Sequence, residues 1–280
     1  MSSDFNLFNQ NELANKFHSL HHNNEMLVLP NAWDCSSAKI FEVNAFPAIA
    51  TTSCGLSWAC GYQDGEYIPS DLMVQIIRGI TRVVKIPVSA DIEGGFYRDN
   101  LELYSKFIND LIDAGVIGIN LEDSNSRTNT LVDTKEQRKF LKIAKEIALQ
   151  KGVNLFVNAR VDGMILENES LEYRISTCIE RANLYKEAGV DGIFVPFIRD
   201  IETVAKIKED IKLPLNIMIT NTLNISELRK LKVERVSIGG RAMLATLSLL
   251  NNIANDIKNS NDWSSLFTTA PTYETLNSWF

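Results

Sequence analysis

Two acidic residues that follow an apolar run are the part of this sequence best suited to chemistry. Asp91 and Glu93 come directly after Ile86–Ala90 and are followed by Gly94 and Gly95. On an extended backbone, residues two apart point to the same side, so both carboxylates are expected to face one site. Neighbouring carboxylates repel each other unless a cation or a proton offsets their charge. The spacing therefore predicts a site for a hard cation, and the glycines leave room for a ligand or a tight turn.

A similar arrangement recurs later in the chain, where Gly118–Leu121 runs into Glu122 and Asp123. Both acidic pairs stand at the end of a predicted strand. Mg²⁺ usually keeps several waters and binds only a few carboxylates. The acids at these two strand ends therefore indicate a magnesium site.

Arg160 is the cation that these acids could meet. It ends a predicted strand and would be nearly buried, where an unpaired charge is costly, so it needs either the carboxylates or an anionic ligand. A guanidinium is well suited to grip a substrate carboxylate with two hydrogen bonds. Structural alternatives stay open: Asp91 and Glu93 could cap the next helix or pair with Arg98, and Glu122 could bridge to Arg160 without a metal.

Alternating strand and helix patterns must position these residues. Short apolar, β-branched runs predict eight strands, at Met26–Pro30, Ala48–Thr52, Pro87–Asp91, Gly118–Glu122, Leu155–Arg160, Gly192–Pro196, Leu215–Thr220 and Arg235–Gly239. Amphipathic segments predict helices near 36–44, 70–83, 99–114, 134–150, 169–188, 199–209, 225–231 and 241–257. Continuously apolar strands are typical of a parallel sheet that is buried on both faces.

Eight strand–helix units predict an α/β fold, a (β/α)8 TIM barrel, with residues 1–280 forming one domain. The alternative is an open doubly wound sheet, but no glycine-rich phosphate motif follows the first strand. Residues 258–280 are predicted to form extra C-terminal helices that pack on their own barrel or on a neighbouring one. Their apolar residues are Trp263, Leu266, Phe267, Leu276, Trp279 and Phe280.

The active site of such a barrel lies at the carboxyl ends of its strands. Polar residues collect at these positions, at Asn31, Asp34, Thr51–Cys54, Asp91, Glu93, Glu122, Asp123, Asn158, Arg160, Asn216, Ser237 and Arg241. The segment Ser53–Leu56 has two interpretations. Cys54 could be a small core residue, or the backbone N–H groups of the segment could bind an oxyanion.

Composition excludes several other classes of protein. The net charge of −7 disfavours nucleic acid and anionic membranes as partners, and no apolar run is long enough to span a bilayer. Four cysteines without a CxxC pair and only three histidines disfavour a zinc site and fit a reducing cytoplasm, so we expect a cytoplasmic protein. His18, His21 and His22 are expected on the polar surface of a helix.

In their order, several motifs resemble the isocitrate lyase/phosphoenolpyruvate mutase superfamily, and more closely its phosphonomutase-like group, which is also described as carboxyvinyl-carboxyphosphonate phosphorylmutase-like. The resemblance runs from about Leu29 to Leu250. It depends on Pro30–Asp34, Thr51–Ser53, Gly55–Leu56, Asp91–Gly95, Asn120–Asp123, Asn158–Asp162, Gly192–Pro196 and Arg235–Arg241.

The resemblance implies a role for each matching residue. Asp91, Glu93 and Glu122 would hold Mg²⁺, partly through water, with Mn²⁺ as the alternative ion. Arg160 would bind the substrate carboxylate. The backbone amides of 54–56 would hold the other end of a 2-oxo acid, and Asp64 would join the water shell of the metal. The full set of remaining substrate-binding residues would be Ser53, Cys54, Gly55, Leu56, Asp64, Asn158 and Asn216. Arg127 and Asn129 match the mobile gating loop of the mutases and are counted with Arg160 and Glu122 as catalytic.

The same resemblance predicts a Mg²⁺-dependent enzyme that breaks a C–C or P–C bond next to a small 2-oxo or 2-hydroxy carboxylate, through an enolate. The loop after Glu122 contains neither cysteine nor histidine, which disfavours the isocitrate lyase reaction itself. The alternatives are a phosphoenolpyruvate mutase or phosphonopyruvate hydrolase, and a catalytically silent barrel that binds a metabolite. Members of the superfamily exchange a late helix between barrels, which implies a homodimer or homotetramer.

Overall fold

In the part of the chain that the structure describes, nine hydrogen-bonded strands form a parallel sheet in the order β1-β11-β10-β9-β8-β5-β4-β3-β2. The computed structural model describes residues 2–125, 127–128, 130–259, 263–267 and 271–280. The strands are β1 Leu27–Leu29, β2 Asn31–Ala32, β3 Ile49–Thr51, β4 Val88–Asp91, β5 Gly118–Glu122, β8 Phe156–Arg160, β9 Gly192–Val195, β10 Leu215–Met218 and β11 Arg235–Ser237. A separate antiparallel hairpin joins β6 Ser124–Asn125 to β7 Thr130–Leu131.

The sheet closes through a strand that is divided at Pro30. β1 pairs with β11, and β2, which begins one residue after Pro30, pairs with β3. Proline has no N–H to donate to the sheet, although its carbonyl still accepts a hydrogen bond from Ala50 N at 2.9 Å. The first predicted strand, Met26–Pro30, therefore corresponds to β1, and β2 continues the chain beyond its predicted end. The predicted TIM-like α/β barrel is confirmed.

Helices surround the barrel. The bounds of α2 and of α4 to α9 follow the predicted segments within a few residues, whereas no bounds were predicted for α1 and α3. They are α1 Ser2–Leu20, α2 Cys35–Val43, α3 Ser53–Ala59, α4 Ser70–Val83, α5 Leu101–Asp113, α6 Thr134–Gln150, α7 Leu171–Lys186, α8 Ile201–Asp210 and α9 Ile225–Lys230. In α4 the buried residues are Met73, Val74, Ile77 and Ile80, which form one stripe at helical spacing. Burying each of these side chains contributes roughly 1.5–3 kcal/mol.

Helix α1 covers the amino-terminal end of the barrel, so the opposite end is the mouth. Phe17 lies edge-on against Phe156, at 5.3 Å between ring centroids. His21 stacks on the same ring at 4.1 Å and is only 3% exposed. The expectation of a surface histidine is therefore wrong for His21, because this helix packs on the barrel and turns His21 inward. His22 is exposed as expected.

The chain divides into two compact units, Met1–Gly239 and Gly240–Phe280. The second unit contains α10 Arg241–Asn259, a 3-10 helix at Ser264–Phe267 and α11 Tyr273–Asn277, so extra C-terminal helices are present. In this unit Trp263, Phe267 and Phe280 are exposed. Packing of residues 258–280 on a barrel stays a prediction. None of the described helices is both long and apolar enough to span a membrane.

Candidate active site

Asp91 ends β4 at the mouth of the barrel, as predicted. Its Oδ2 atom accepts a hydrogen bond from Ser53 Oγ at 3.1 Å, and its backbone N–H donates to Thr51 Oγ1 at 2.9 Å. Burial raises the pKa of the Asp91 carboxyl, although Arg160 opposes the shift. Ser53 thus contacts a predicted metal ligand through its side chain.

Glu93 approaches Asp91, but not on an extended strand. Its φ of 51° is left-handed, so the assumption of an extended backbone through Glu93 is wrong: the strand ends at Asp91 and the chain turns. Burial, followed by the charges of Asp64, Asp91 and Glu66, raises the pKa of Glu93 to about 8. The acids therefore interact electrostatically as expected, by a different backbone path.

Glu66 is an acid of this cluster that sequence reasoning missed. Its backbone N–H donates to Glu93 Oε2 at 2.7 Å, and its Oε1 accepts from Phe96 N at 2.8 Å. A Cβ atom on Gly94 would lie 3.0 Å from Glu66 Oε1, so this glycine lets the two segments approach. Glu66 lies in a loop between α3 and α4, where no periodic pattern marked it.

Glu122 and Arg160 form an ion pair opposite these acids. Arg160 Nη1 lies 2.6 Å from Glu122 Oε2, and Arg160 Nε lies 2.7 Å from Asp162 Oδ1. Burial alone would lower the pKa of Arg160, but the carboxylates of Asp162 and Glu122 raise it above its usual value. No described residue accepts a hydrogen bond from Nη2, which leaves the two N–H groups of this nitrogen for a ligand. The rings of Phe194 and Phe197 lie 5.9 and 5.6 Å from its Cζ atom.

Arg98 does not pair with Asp91 or Glu93. Its Nη2 atom donates to the backbone oxygen of Glu122 at 2.6 Å and to Gln137 Oε1 at 2.8 Å. Helix α5 is capped by Asn100 and not by either acid. The structural alternative for Asp91 and Glu93 is therefore wrong, whereas the proposed bridge between Glu122 and Arg160 is present.

Residues Ser53–Leu56 form the first turn of helix α3, which was not among the predicted helices. The Leu56 N–H donates to Thr52 O at 3.0 Å, so this amide is used within the helix, and the Leu56 side chain is fully buried. The amides of Cys54 and Gly55 remain the candidate donors to a ligand. Burial raises the pKa of the Cys54 thiol to about 11, which disfavours a nucleophilic thiolate.

Asp64 and Arg127, which were predicted to belong to the site, both lie in loops near the acids. Asp64 is exposed and interacts electrostatically with Asp91 and Arg160. Arg127 lies in the β6–β7 hairpin, and its guanidinium donates to Gly65 O at 3.2 Å and to Glu66 O at 2.8 Å. Asn129 lies outside the described residues.

Asn158 and Asn216 lie deeper than Arg160, in the barrel interior. Both are 1% exposed, and Asn158 Nδ2 donates to Asn120 Oδ1 at 2.9 Å. Asn120 also accepts a hydrogen bond from Arg235 Nη2 at 3.2 Å. The amide of Asn216 has no partner among the described residues. Their predicted contact with substrate stays a prediction.

The predicted metal ligands are Asp91, Glu93 and Glu122. In the part of the chain that the structure describes, no three His, Cys, Asp or Glu side chains are grouped to bind an ion directly. Glu93 Oε1 is nevertheless buried without a hydrogen-bond partner in that part, and the charges of three other acids act on its carboxyl and raise its pKa. Hard oxygen donors with crowded negative charge suit Mg²⁺ held partly through water. Glu122 is already paired with Arg160, so Asp91 and Glu93 fit a metal better than Glu122 does.

Comparison with known proteins agrees with the fold and the motifs. A family model for phosphoenolpyruvate phosphomutase matches residues 17–258. An uncharacterized protein of Mycobacterium tuberculosis is 36% identical over 224 residues, which are 80% of this chain and 81% of that protein. The 2-methylisocitrate lyase of Halalkalibacterium halodurans is 26% identical over 213 residues, 74% of this chain and 67% of the lyase.

Solved structures also agree with the fold. A phosphonomutase-like protein from Burkholderia cenocepacia superposes with a TM-score of 0.83 at 33% identity, covering 88% of this chain and 99% of that chain. A phosphonopyruvate hydrolase in complex with oxalate and Mg²⁺ superposes with a TM-score of 0.83 at 20% identity, covering 95% and 94%, which shows the fold alone. The chain belongs to the phosphoenolpyruvate phosphomutase family, within the isocitrate lyase/phosphoenolpyruvate mutase superfamily of lyases, mutases and hydrolases.

Proposed function

We propose that this protein is a Mg²⁺-dependent enzyme that cleaves a C–C or P–C bond next to a small 2-oxo carboxylate, through an enolate. One observation carries the proposal: the half-buried Asp91 and the buried Glu93 share the mouth of the barrel with the Glu122–Arg160 ion pair. A site that combines a cation-binding side with a carboxylate-binding guanidinium is suited to a 2-oxo acid.

Arg160 binds and orients the substrate carboxylate in this mechanism. Glu122 and Asp162 fix two of its nitrogens, so the guanidinium needs little reorganisation when the ligand arrives. The amides of Cys54 and Gly55 orient the opposite end of the ligand. Arg127, on the hairpin, closes the site by donating to the carbonyls of the 65–66 segment and so helps to exclude water.

Asp91 and Glu93 would hold Mg²⁺, which when bound supplies positive charge that stabilises the developing enolate. Ser53 and the Glu66 amide hold these two carboxylates in place by the hydrogen bonds described above. C–C cleavage is favoured over chemistry on a phosphoryl group, because the Arg127 guanidinium, which could otherwise meet such a group, already donates to the carbonyls of Gly65 and Glu66. Its Cζ atom also lies 4.6 Å from the centre of the Tyr67 ring.

The proposal is tested by incubating the protein and Mg²⁺ with a panel of 2-oxo and 2-hydroxy di- and tricarboxylates and following pyruvate and oxalate release. Phosphonopyruvate is followed by phosphorus NMR, which separates a mutase or hydrolase from a C–C lyase. We expect turnover that EDTA abolishes and the Arg160→Ala variant lacks. Failure of the whole panel, or turnover that is unchanged by EDTA, would contradict the proposal, and binding without turnover would favour a silent metabolite-binding barrel.

A further inference from the structure

A chain of buried polar contacts leads from helix α7 to Arg160. Asp123 is fully buried, and its Oδ2 accepts from Tyr185 Oη at 2.7 Å and from Arg181 Nη1 at 2.9 Å. Arg181 Nη1 also donates to Tyr185 Oη at 3.0 Å. The two α7 side chains therefore fix one oxygen of Asp123.

The other oxygen of Asp123 connects α7 to the strand that carries Arg160. Asp123 Oδ1 accepts the backbone N–H of Asp162 at 2.8 Å, and the backbone N–H of Asp123 donates to the oxygen of Arg160 at 3.1 Å. Both contacts hold the segment that follows β8. Because both contacts are direct hydrogen bonds, a shift of Asp123 would move this segment.

Asp162 completes the connection. Its Oδ1 accepts from Arg160 Nε at 2.7 Å, and its Oδ2 accepts from Ser124 Oγ at 2.5 Å. Both oxygens are therefore occupied, which fixes the plane of the carboxylate and with it the direction of the Arg160 side chain. Asp162 is fully buried.

The buried charges of Asp123, Asp162 and Arg181 are not explained by stability alone, because a buried ion pair often stabilises the folded state no more than apolar side chains of similar volume would. Their geometry is a better explanation for their presence. We propose that Tyr185 and Arg181 are positioning residues for Arg160, acting through Asp123 and Asp162. The inference depends on the proposed function in one respect, namely that Arg160 binds a substrate carboxylate.

Tyr185→Phe tests the inference because it removes only the hydroxyl group. Tyr104→Phe is the matched control: Tyr104 is also fully buried, and its hydroxyl donates to Phe140 O at 3.1 Å, outside the chain of contacts. Oxalate affinity is measured by calorimetry in the presence of Mg²⁺. We expect the oxalate Kd to rise about tenfold in Tyr185→Phe, as a misplaced binding group would cause, and to stay unchanged in Tyr104→Phe.

A second readout needs no substrate. The Arg160 Nε–H resonance, identified by its loss in Arg160→Lys, reports the contact with Asp162. We expect the chemical shift of this resonance to change in Tyr185→Phe and in Arg181→Met. In Arg181→Lys it should return most of the way to the value of the unaltered protein, and in Tyr104→Phe it should not change. If the Nε–H chemical shift is the same in Tyr185→Phe as in Tyr104→Phe, the inference is overturned.

The two proposals fail in different ways. If the unaltered protein binds no oxalate with Mg²⁺, the proposed function is contradicted, and the Nε–H resonance alone decides whether α7 positions Arg160. If it binds oxalate and the Tyr185→Phe and Tyr104→Phe variants bind it equally well, the positioning role is wrong while the proposed function stands.

Discussion

Arg160 and Glu122 form a direct ion pair at the mouth of the barrel, with 2.6 Å between Nη1 and Oε2. The pair joins neighbouring strands, β8 and β5, at directly paired positions of the sheet. Burial raises the pKa of Glu122 even though Arg160 opposes the shift, so the carboxylate depends on its partner to stay charged. The pair therefore links the carboxylate-binding side of the site to its acidic side.

Replacing Arg160 tests the role of this pair. Arg160→Ala should lower kcat/KM on the true substrate by an amount equivalent to about 2–5 kcal/mol, because a charge-assisted contact with the substrate carboxylate is lost. Arg160→Lys should recover only part of this loss, since an ammonium cannot reproduce the planar fork. Steady-state kinetics measure both variants, and an unchanged kcat/KM in Arg160→Ala would rule out the role.

Glu93→Gln should weaken Mg²⁺ binding by at least about tenfold, because a hard cation prefers a charged oxygen ligand. The metal-free protein should not lose stability near pH 7, because a carboxyl whose pKa is raised to about 8 is largely uncharged there, as is the amide that replaces it. Calorimetry and thermal unfolding measure the two effects. Glu102→Gln, on the exposed face of α5, is the control that should change neither. Equal Mg²⁺ affinity in both variants would remove Glu93 from the metal site.

The hairpin that carries Arg127 is predicted to act as a lid. Arg127→Ala removes its hydrogen bonds to Gly65 O and Glu66 O, so proteolysis between 124 and 131 should become faster and turnover slower. Bound oxalate with Mg²⁺ should protect the hairpin in the unaltered protein. If Arg127→Ala and Asn129→Ala both leave cleavage and kinetics unchanged, the lid prediction is wrong.

His21 should make stability depend on pH. Burial, reinforced by the charge of Arg235, lowers its pKa to about 3, from an ordinary value near 6.5. Between about pH 3 and pH 6.5 His21 is protonated in the unfolded chain but not in the folded protein. The contribution of His21 to the free energy of unfolding is therefore complete above about pH 6.5 and decreases as the pH falls. Between pH 6.5 and 5 the loss should reach about 2 kcal/mol.

Denaturant unfolding at several pH values measures this loss. His21→Phe, which keeps a ring against Phe156, should remove most of the dependence in this range, whereas His22→Gln, at an exposed position, should not. His18 also contributes, because burial lowers its pKa in the same direction. An identical slope in His21→Phe and the unaltered protein would contradict the assignment.

The apolar residues of the C-terminal unit predict a homodimer or homotetramer. Exposed apolar side chains such as Phe267 and Phe280 usually mark an interface. Light scattering should give a mass above that of a monomer, and deletion after Asn259 should give monomer or aggregate. A mass near 31.5 kDa at micromolar concentration would contradict the prediction.

The strand ends were predictable from the sequence because strands buried on both faces are continuously apolar and end where polar residues begin. Asp91, Glu122 and Arg160 therefore fell at the mouth without any knowledge of the fold. The turn at Glu93 was not predictable in the same way, because its left-handed backbone depends on contacts with a distant loop.

Contacts between distant segments account for what the sequence did not reveal. Glu66 lies in a loop without a helix or strand pattern, and it belongs to the site because of its hydrogen bonds with Glu93 and Phe96. His21 looked like a surface residue because the helix that precedes it is polar, and its burial is explained only by the contact with Phe156 of the barrel. The partner of Arg98 also depends on the position of α6, which carries Gln137.

Binding of oxalate, with and without Mg²⁺, is the most direct test of the proposed enolate site, because oxalate resembles the enolate of pyruvate in shape and charge. Calorimetry should show one oxalate bound per chain when Mg²⁺ is present, and binding should be lost when EDTA is added or when Arg160 is replaced by alanine. Oxalate binding that is absent, or that is equally strong without Mg²⁺, would contradict the proposal.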